Sequence, residues 1–214
     1  MKNRIIVLGI IAACIALSGC TNSSNQGIEI GDQVWMASNL NVTHFRNGDV
    51  IPQAKSNVEW RRAGENGEPA WCYYNNETNN GKRYGKLYNW FAVTDPRGLA
   101  PEGWRIPNND DWDILVKYVS EQEKPSKALK ESGTKHWTEP NSKAHNSTGF
   151  TALPGGYRSG YGTFQGINSN GFWWTISEDE EFFAWYRYIN FFYPQVFTDF
   201  ASKTTGFAVR CIQE

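Results

Sequence analysis

The sequence predicts an α+β fold, and three observations carry that expectation. Residues 27–40, GIEIGDQVWMASNL, alternate apolar and polar side chains around Gly31-Asp32, which is a hairpin signal. Two stretches in the middle of the chain place apolar residues at helical spacing. The last quarter reads as a run of strands separated by turn residues. Strands, then helices, then strands in one chain without a regular β-α-β alternation is the pattern of an α+β domain.

The elements follow in order. Residues 41–69 are polar and turn-rich, with Asn47-Gly48 and Asn66-Gly67, and read as connecting chain. Residues 70–74 read as a short strand and 75–81 as a polar loop. Tyr84, Leu87, Tyr88 and Phe91 fall at i, i+3, i+4, i+7 and predict a helix over 84–93, stopped by Asp95-Pro96-Arg97-Gly98. A second helix follows Ile106-Pro107. Asn108 or Asn109 caps it, Asp110, Asp111 and Asp113 suit its positive end, and Trp112, Leu115, Val116 and Val119 form its apolar face. A third, short helix is expected over 127–132. Residues 133–170 show no long periodic run. Strands are expected at 172–177, 182–191, 195–201 and 206–212. Neighbouring residues of a strand point opposite ways, so one of Trp173 and Trp174 should be buried and the other nearer solvent, and likewise Trp185 and Tyr186 should part.

The first residues bear on location. Lys2 and Arg4 precede an apolar run, residues 5–17, too short to span a bilayer. Leu17-Ser18-Gly19-Cys20 then resembles the lipobox of bacterial lipoproteins. The resemblance implies a signal peptide over 1–19, cleavage at Gly19, and acylation of Cys20 with diacylglycerol and palmitate-type chains. One acyl chain anchors only marginally, so several are needed to hold durably. The Asn/Ser-rich residues 20–27 read as the acylated cysteine and a flexible tether, leaving 28–214 as a single domain. The expected address is the outer membrane, on either its surface or its periplasmic face. Removal of Lys2 and Arg4 leaves 19 basic against 22 acidic side chains, a net charge of −3, which argues against nucleic acid as a partner.

Two cysteines remain for the domain. Cys211, in GFAVRCI, shares a strand face with Phe207 and Val209. A disulfide from Cys72 to Cys211 would close a loop of about 140 residues, worth roughly 4–5 kcal/mol. Two separate buried thiols are the alternative. The histidines, His44, His136 and His145, show no zinc spacing. There is no G-x-S-x-G and no G-x-G-x-x-G. Aromatics are dense, with 10 Trp, 10 Tyr and 12 Phe.

Several segments together resemble the Fibrobacter succinogenes major paralogous domain: VWMASNL, WCYYNNE with YGKLYNWFAV, LAPEGWRIPNNDDWDIL, GFTALPGGYR, GFWWTISE and GFAVRCI. They occur in order and cover nearly the whole chain after residue 30. The family is common on secreted and lipid-anchored bacterial proteins and has no firmly assigned activity. A more distant likeness joins GWRIPNNDDWDIL, LPGGYR and GFAVRC to segments of formylglycine-generating, sulfatase-modifying enzymes. It implies a C-type-lectin-like fold, with terminal strands side by side, two helices beside them and a long irregular loop region. The oxygen-activating cysteine pair of those enzymes has no counterpart here, so their chemistry is not expected. Glu139-Pro140-Asn141 matches the EPN by which some C-type lectins hold calcium, and makes Glu139 and Asn141 a weak calcium candidate across a cis-proline turn. Ser177 to Glu181 is the other carboxylate cluster.

These features together point to a non-enzymatic, lipid-anchored binding module of the cell envelope that recognises carbohydrate through loop aromatics. The residues expected to meet the ligand are Trp137, Tyr157, Arg158, Tyr161, Trp174 and Trp185, in or beside a stretch loosened by glycine. The alternative is a structural or interaction subunit of a surface or fimbrial assembly that binds protein.

Overall fold

A computed structural model describes residues 26–214. The expected signal peptide, Cys20 and the tether up to residue 25 lie outside the described residues. The opening hairpin is present as β1 (Gly27–Ile30) and β2 (Gln33–Met36), turning at Gly31 with φ 61°. The C-terminal strand β11 (Ile212–Gln213) pairs antiparallel with β2 through Ile212 and Trp35, and with β5 (Trp104–Arg105) on its other side. The two ends of the domain are therefore stitched together in one four-stranded sheet, ordered β1-β2-β11-β5.

Helix α4 (Asn109–Ser120) follows the expected cap. The Asn108 side chain accepts from Asp111 N while the Asp111 carboxylate accepts from Asn108 N. Asp111 also takes a two-pronged bond from Arg105, at 2.6 and 2.7 Å, which fixes the helix start against β5. The third helix, α5 (Pro125–Leu129), begins two residues earlier than expected because Pro125 suits its first turn.

Two regions depart from expectation. Residues 41–69 contain a helix, α1 (Asn57–Glu65), set by a capping box between Ser56 and Glu59. The helix expected over 84–93 is three elements. Helix α2 (Thr78–Tyr84) takes up part of the polar loop expected over 75–81 and ends where Gly85 turns to φ 79°. Leu87–Tyr88 then pairs as strand β4 with β3 (Trp71–Cys72), and Asn89 caps a single turn, α3 (Trp90–Val93). Tyr84, Leu87 and Tyr88 are all buried, so the helical spacing reflected burial in a strand and its flanks rather than one helix face.

The last quarter forms a three-stranded antiparallel sheet, β10-β9-β8, from β8 (Asn170–Glu180), β9 (Phe183–Asn190) and β10 (Val196–Ser202). Strand β8 crosses the interior with both faces covered. Trp173 packs toward Trp112 and Phe150, and Trp174 packs toward Phe207. Both are 0% exposed, which corrects the expectation that one would approach solvent. The same wall runs through Trp35-Met36, Ala208-Val209 and Cys211-Ile212, with neighbouring residues sent into two different apolar clusters. A third cluster gathers Trp60, Cys72, Tyr74 and Leu87 beneath α1.

Residues 149–158 also differ from the irregular, glycine-loosened loop expected from the sequence. Phe150, Ala152 and Arg158 are fully buried, and Gly155–Arg158 is a strand, β6, paired with β7 (Phe164–Ile167). Gly156 has φ 63°, and a Cβ there would meet Gln165 O at 2.5 Å and the Tyr74 ring at 2.7 Å. Its lack of a side chain serves close packing of backbone on backbone, not loop freedom.

Candidate functional site

The alternation of β9 and β10 decides what the three-stranded sheet displays. Phe172, Tyr188 and Phe197 stand directly opposite one another across the three strands, on one face. Their rings stack in a column. Phe207 lies against Phe172 (5.2 Å between centroids, 14° between planes), Phe172 against Tyr188 (5.8 Å, 29°) and Tyr188 against Phe197 (4.8 Å, 14°). The column runs from the buried Phe207 to the half-buried Phe197 on edge strand β10. Stacked rings cover each other's faces, so Phe197, the outermost ring, is covered by the column on one face only. Tyr193 stands beside it, edge to face, at 5.8 Å. Tyr188, Tyr193 and Phe197, with Asn190 and Gln195, enclose an open cleft of about 570 Å³. The cleft is open to solvent, with apolar walls and a few polar groups at its rim.

The loop that carries Tyr193 is held from below by α5. Ser126 N donates to Pro194 O at 3.1 Å, and Ser126 Oγ donates to Tyr193 O at 3.1 Å. Lys130, fully buried, donates its ammonium to the carbonyls of Asn190 and Phe191 at 3.1 and 3.4 Å and lies 5.1 Å from the Trp137 ring. Asn190 completes the frame, donating to Asn170 Oδ1 and accepting from Phe192 N, both at 2.8 Å. Burial pushes the Tyr188 hydroxyl up, with Asp199 and Tyr193 adding to it, so it remains a donor at neutral pH.

Lys130 and Lys86 give the fold a pH signature. Burial lowers both ammonium pKa values to about 8 from 10.5. Between those values the unfolded chain binds more protons than the folded one, so stability rises with pH; below pH 8 both states are protonated and the contribution is flat. Each lysine adds at most about 1.4 kcal/mol per pH unit. Cys72 and Cys211 act oppositely: burial raises both thiols from 9.0 to about 12, so stability falls above pH 9. Urea midpoints are expected to rise from pH 8 to 9. Lys130→Met should reduce the rise; an unchanged profile in that variant would count against the assignment.

The residues expected from sequence are scattered by the fold. Tyr157 is half-buried and flanks the ring column, 5.1 Å from Phe172, with its hydroxyl on Gln165 at 2.9 Å. Trp185 sits on the opposite sheet face, against Phe200. Tyr161 is 81% exposed at the tip of the β6–β7 hairpin, away from the cleft residues in the chain and its pairing. Three of the residues are interior. Arg158 is 0% exposed and donates to Gly162 O, Ala54 O and Asn57 Oδ1, between the rings of Trp60 and Phe164. Trp137 donates to Ala152 O at 3.0 Å, and Trp174 to Tyr88 O at 2.9 Å. Each has its polar atom satisfied internally, which is what makes the burial stable.

Glu139–Pro140 is a cis peptide, Glu139 is exposed and Asn141 is buried. The Asn141 amide nitrogen donates to Glu131 O and Gly133 O. Among the described residues no group of three or more His, Cys, Asp or Glu side chains gathers as metal ligands, and no helix is long and apolar enough to cross a membrane. Cys72 and Cys211 are not bonded to each other in this structure; both are 0% exposed and belong to different apolar clusters. Sequence reasoning missed Tyr188 and Phe197. Their signal was the alternation in FAWYRYIN and VFTDFAS, which brings the rings together only when the strands are set in register.

A model of the Fibrobacter succinogenes major domain matches residues 28–213 of the chain. No curated protein and no solved structure matches it.

Proposed function

We propose, for a chain that belongs to the Fibrobacter succinogenes major domain family, a lipid-anchored module of the bacterial outer membrane that binds carbohydrate without altering it. The observation that carries this reading is the cleft between Tyr188, Tyr193 and Phe197. A sugar ring has an apolar C–H face and a rim of hydroxyls. The free face of Phe197 suits the first, and Asn190, Gln195 and the two tyrosine hydroxyls suit the second. The fastening of the Tyr193 loop to Ser126 and Lys130 holds the walls in place before the ligand arrives, which lowers the cost of binding. The pairing of β2 with β11 and the helices beside that sheet support a C-type-lectin-like arrangement, and Cys20 after Leu17-Ser18-Gly19 supports the anchor.

A glycan array, followed by titration with plant and host polysaccharides, tests the reading. A retained glycan should lose about tenfold in affinity with Tyr193→Ala or Phe197→Ala, the value of one aromatic contact. Tyr161→Ala, on the hairpin tip, should leave it unchanged. If no glycan is retained, or if Tyr161→Ala abolishes binding while Tyr193→Ala does not, the cleft is not the site.

A further inference from the structure

The other face of the same sheet is bare over part of its length. Near β8 it is covered: Arg187 donates to Asn109 O at 3.0 Å and pairs with Asp113 at 2.9 Å, so the first turn of α4 sits over it. Beyond Arg187 the cover stops. Trp185 and Phe200 face each other across β9 and β10, and Phe183 meets Phe200 edge to face at 5.8 Å. Phe200 is 48% exposed, Phe183 36% and the neighbouring Phe182 65%. Adjacent apolar rings left open to water on one face mark an interaction surface rather than scattered exposure.

Two further features describe the partner. Among the described residues strand β10 pairs with β9 alone, and on its outer edge the Phe200 N–H donates to the Asp199 carboxylate at 2.9 Å, a bond that a pairing strand with a cation for Asp199 would replace. The patch is also bordered by acids. Glu178, Asp179, Glu180 and Glu181 lead into Phe182, and Asp199 lies in the middle of the edge strand. Glu178 is neutralised by Lys203, but Asp179, Glu180 and Glu181 form no ion pair among the described residues. A second copy of this strand would bring Asp199 and the acidic turn against their own kind, which disfavours self-pairing.

We propose that the β10 edge and the Phe182/Phe183/Trp185/Phe200 face together form a docking surface for an extended, cationic segment of another protein, with Lys or Arg alternating with apolar side chains. Its backbone adds a fourth strand to the sheet, its apolar side chains meet Phe200 and Trp185, and its cations meet Asp199 and the 179–181 acids. Phe200 and Trp185 lie on the face opposite the sugar cleft, whereas Asp199, which accepts from the Tyr186 hydroxyl, lies on the cleft's own face, so the apolar and charged side chains of an added strand would part to the two faces.

The test uses the domain with a fluorescein-labelled octapeptide that alternates lysine and valine, read by anisotropy. Binding is expected in low salt, weakened at least tenfold by 0.5 M NaCl, by Glu180→Lys/Glu181→Lys, and by Phe200→Ser. A glutamate–valine octapeptide should not bind, and proline in place of two valines should weaken the lysine peptide at least tenfold by removing ladder donors. Asp32→Lys/Glu29→Lys, the same charge change at the β1–β2 hairpin, should leave binding unchanged. The proposal is overturned if lysine and glutamate peptides bind alike, if the lysine peptide does not bind, or if the proline peptide binds as well as its parent. Sedimentation showing a dimer that Phe200→Ser dissociates would assign the surface to a second copy and overturn it as well.

Discussion

Arg210→Met is expected to lower the free energy of unfolding by about 3–5 kcal/mol, much of the stability of an ordinary domain. The reason is the use made of its donors. Arg210 is 1% exposed and has no carboxylate partner among the described residues. Its Nη1 donates to Met36 O at 3.0 Å and Phe150 O at 2.7 Å, and its Nε and Nη2 both donate to Asn39 Oδ1, at 3.0 and 2.9 Å. The guanidinium carbon lies 4.4 Å from the Phe150 ring centroid. One side chain thus ties the opening hairpin, the 150 stretch and the C-terminal segment. Burial weighs against its charge and lowers its pKa, so methionine removes that penalty. It also leaves two buried carbonyls without donors, at about 1–3 kcal/mol each, and loosens Asn39. Arg210→Lys keeps a charge but reaches fewer acceptors, and should fall between wild type and methionine. Urea midpoints at constant slope measure both; a methionine variant within about 1 kcal/mol of wild type would refute the role.

What could be read from the sequence was local. The alternation at 27–36 and the Asn108-x-x-Asp111 box act within a few residues, and both produced the expected elements. The Ser56-x-x-Glu59 box was equally local and went unused, which is why α1 was missed. The 84–93 helix failed for the opposite reason. Its period was real, but Leu87 and Tyr88 owe their burial to pairing with β3, a partner outside any local window. The candidate site lay beyond reach on the same ground. Phe172, Tyr188 and Phe197 are 16 and 9 residues apart along the chain and adjacent only through strand register. Glycines at 155 and 156 suggested an open loop because sequence does not distinguish a glycine that frees the chain from one that lets Tyr74 and Gln165 approach it.

The two tryptophans of β8 provide the second large effect. Trp173→Ala and Trp174→Ala are each expected to cost about 3–5 kcal/mol, since each empties a fully buried indole site. Their consequences should then diverge. The Trp173 indole donates to Asn39 Oδ1 at 2.8 Å, the same oxygen that Arg210 uses. The Trp174 indole donates to Tyr88 O and packs 4.6 Å from Phe207, in the other cluster. Groups sharing an acceptor couple; groups on opposite sides of a strand with no common partner add. In cycles with Arg210→Met, the gentler Trp173→Phe should therefore show a coupling of about 0.5–3 kcal/mol, and Trp174→Phe should be additive within about 0.5 kcal/mol. On the proposed glycan reading, Trp174→Phe should instead weaken retention of the ligand, because Phe207 is the base of the ring column that ends at Phe197. Equal coupling of both tryptophans to Arg210 would mean that β8 does not divide the interior into two separately stabilised halves. The cleft would then rest on the whole core rather than on the half beneath it.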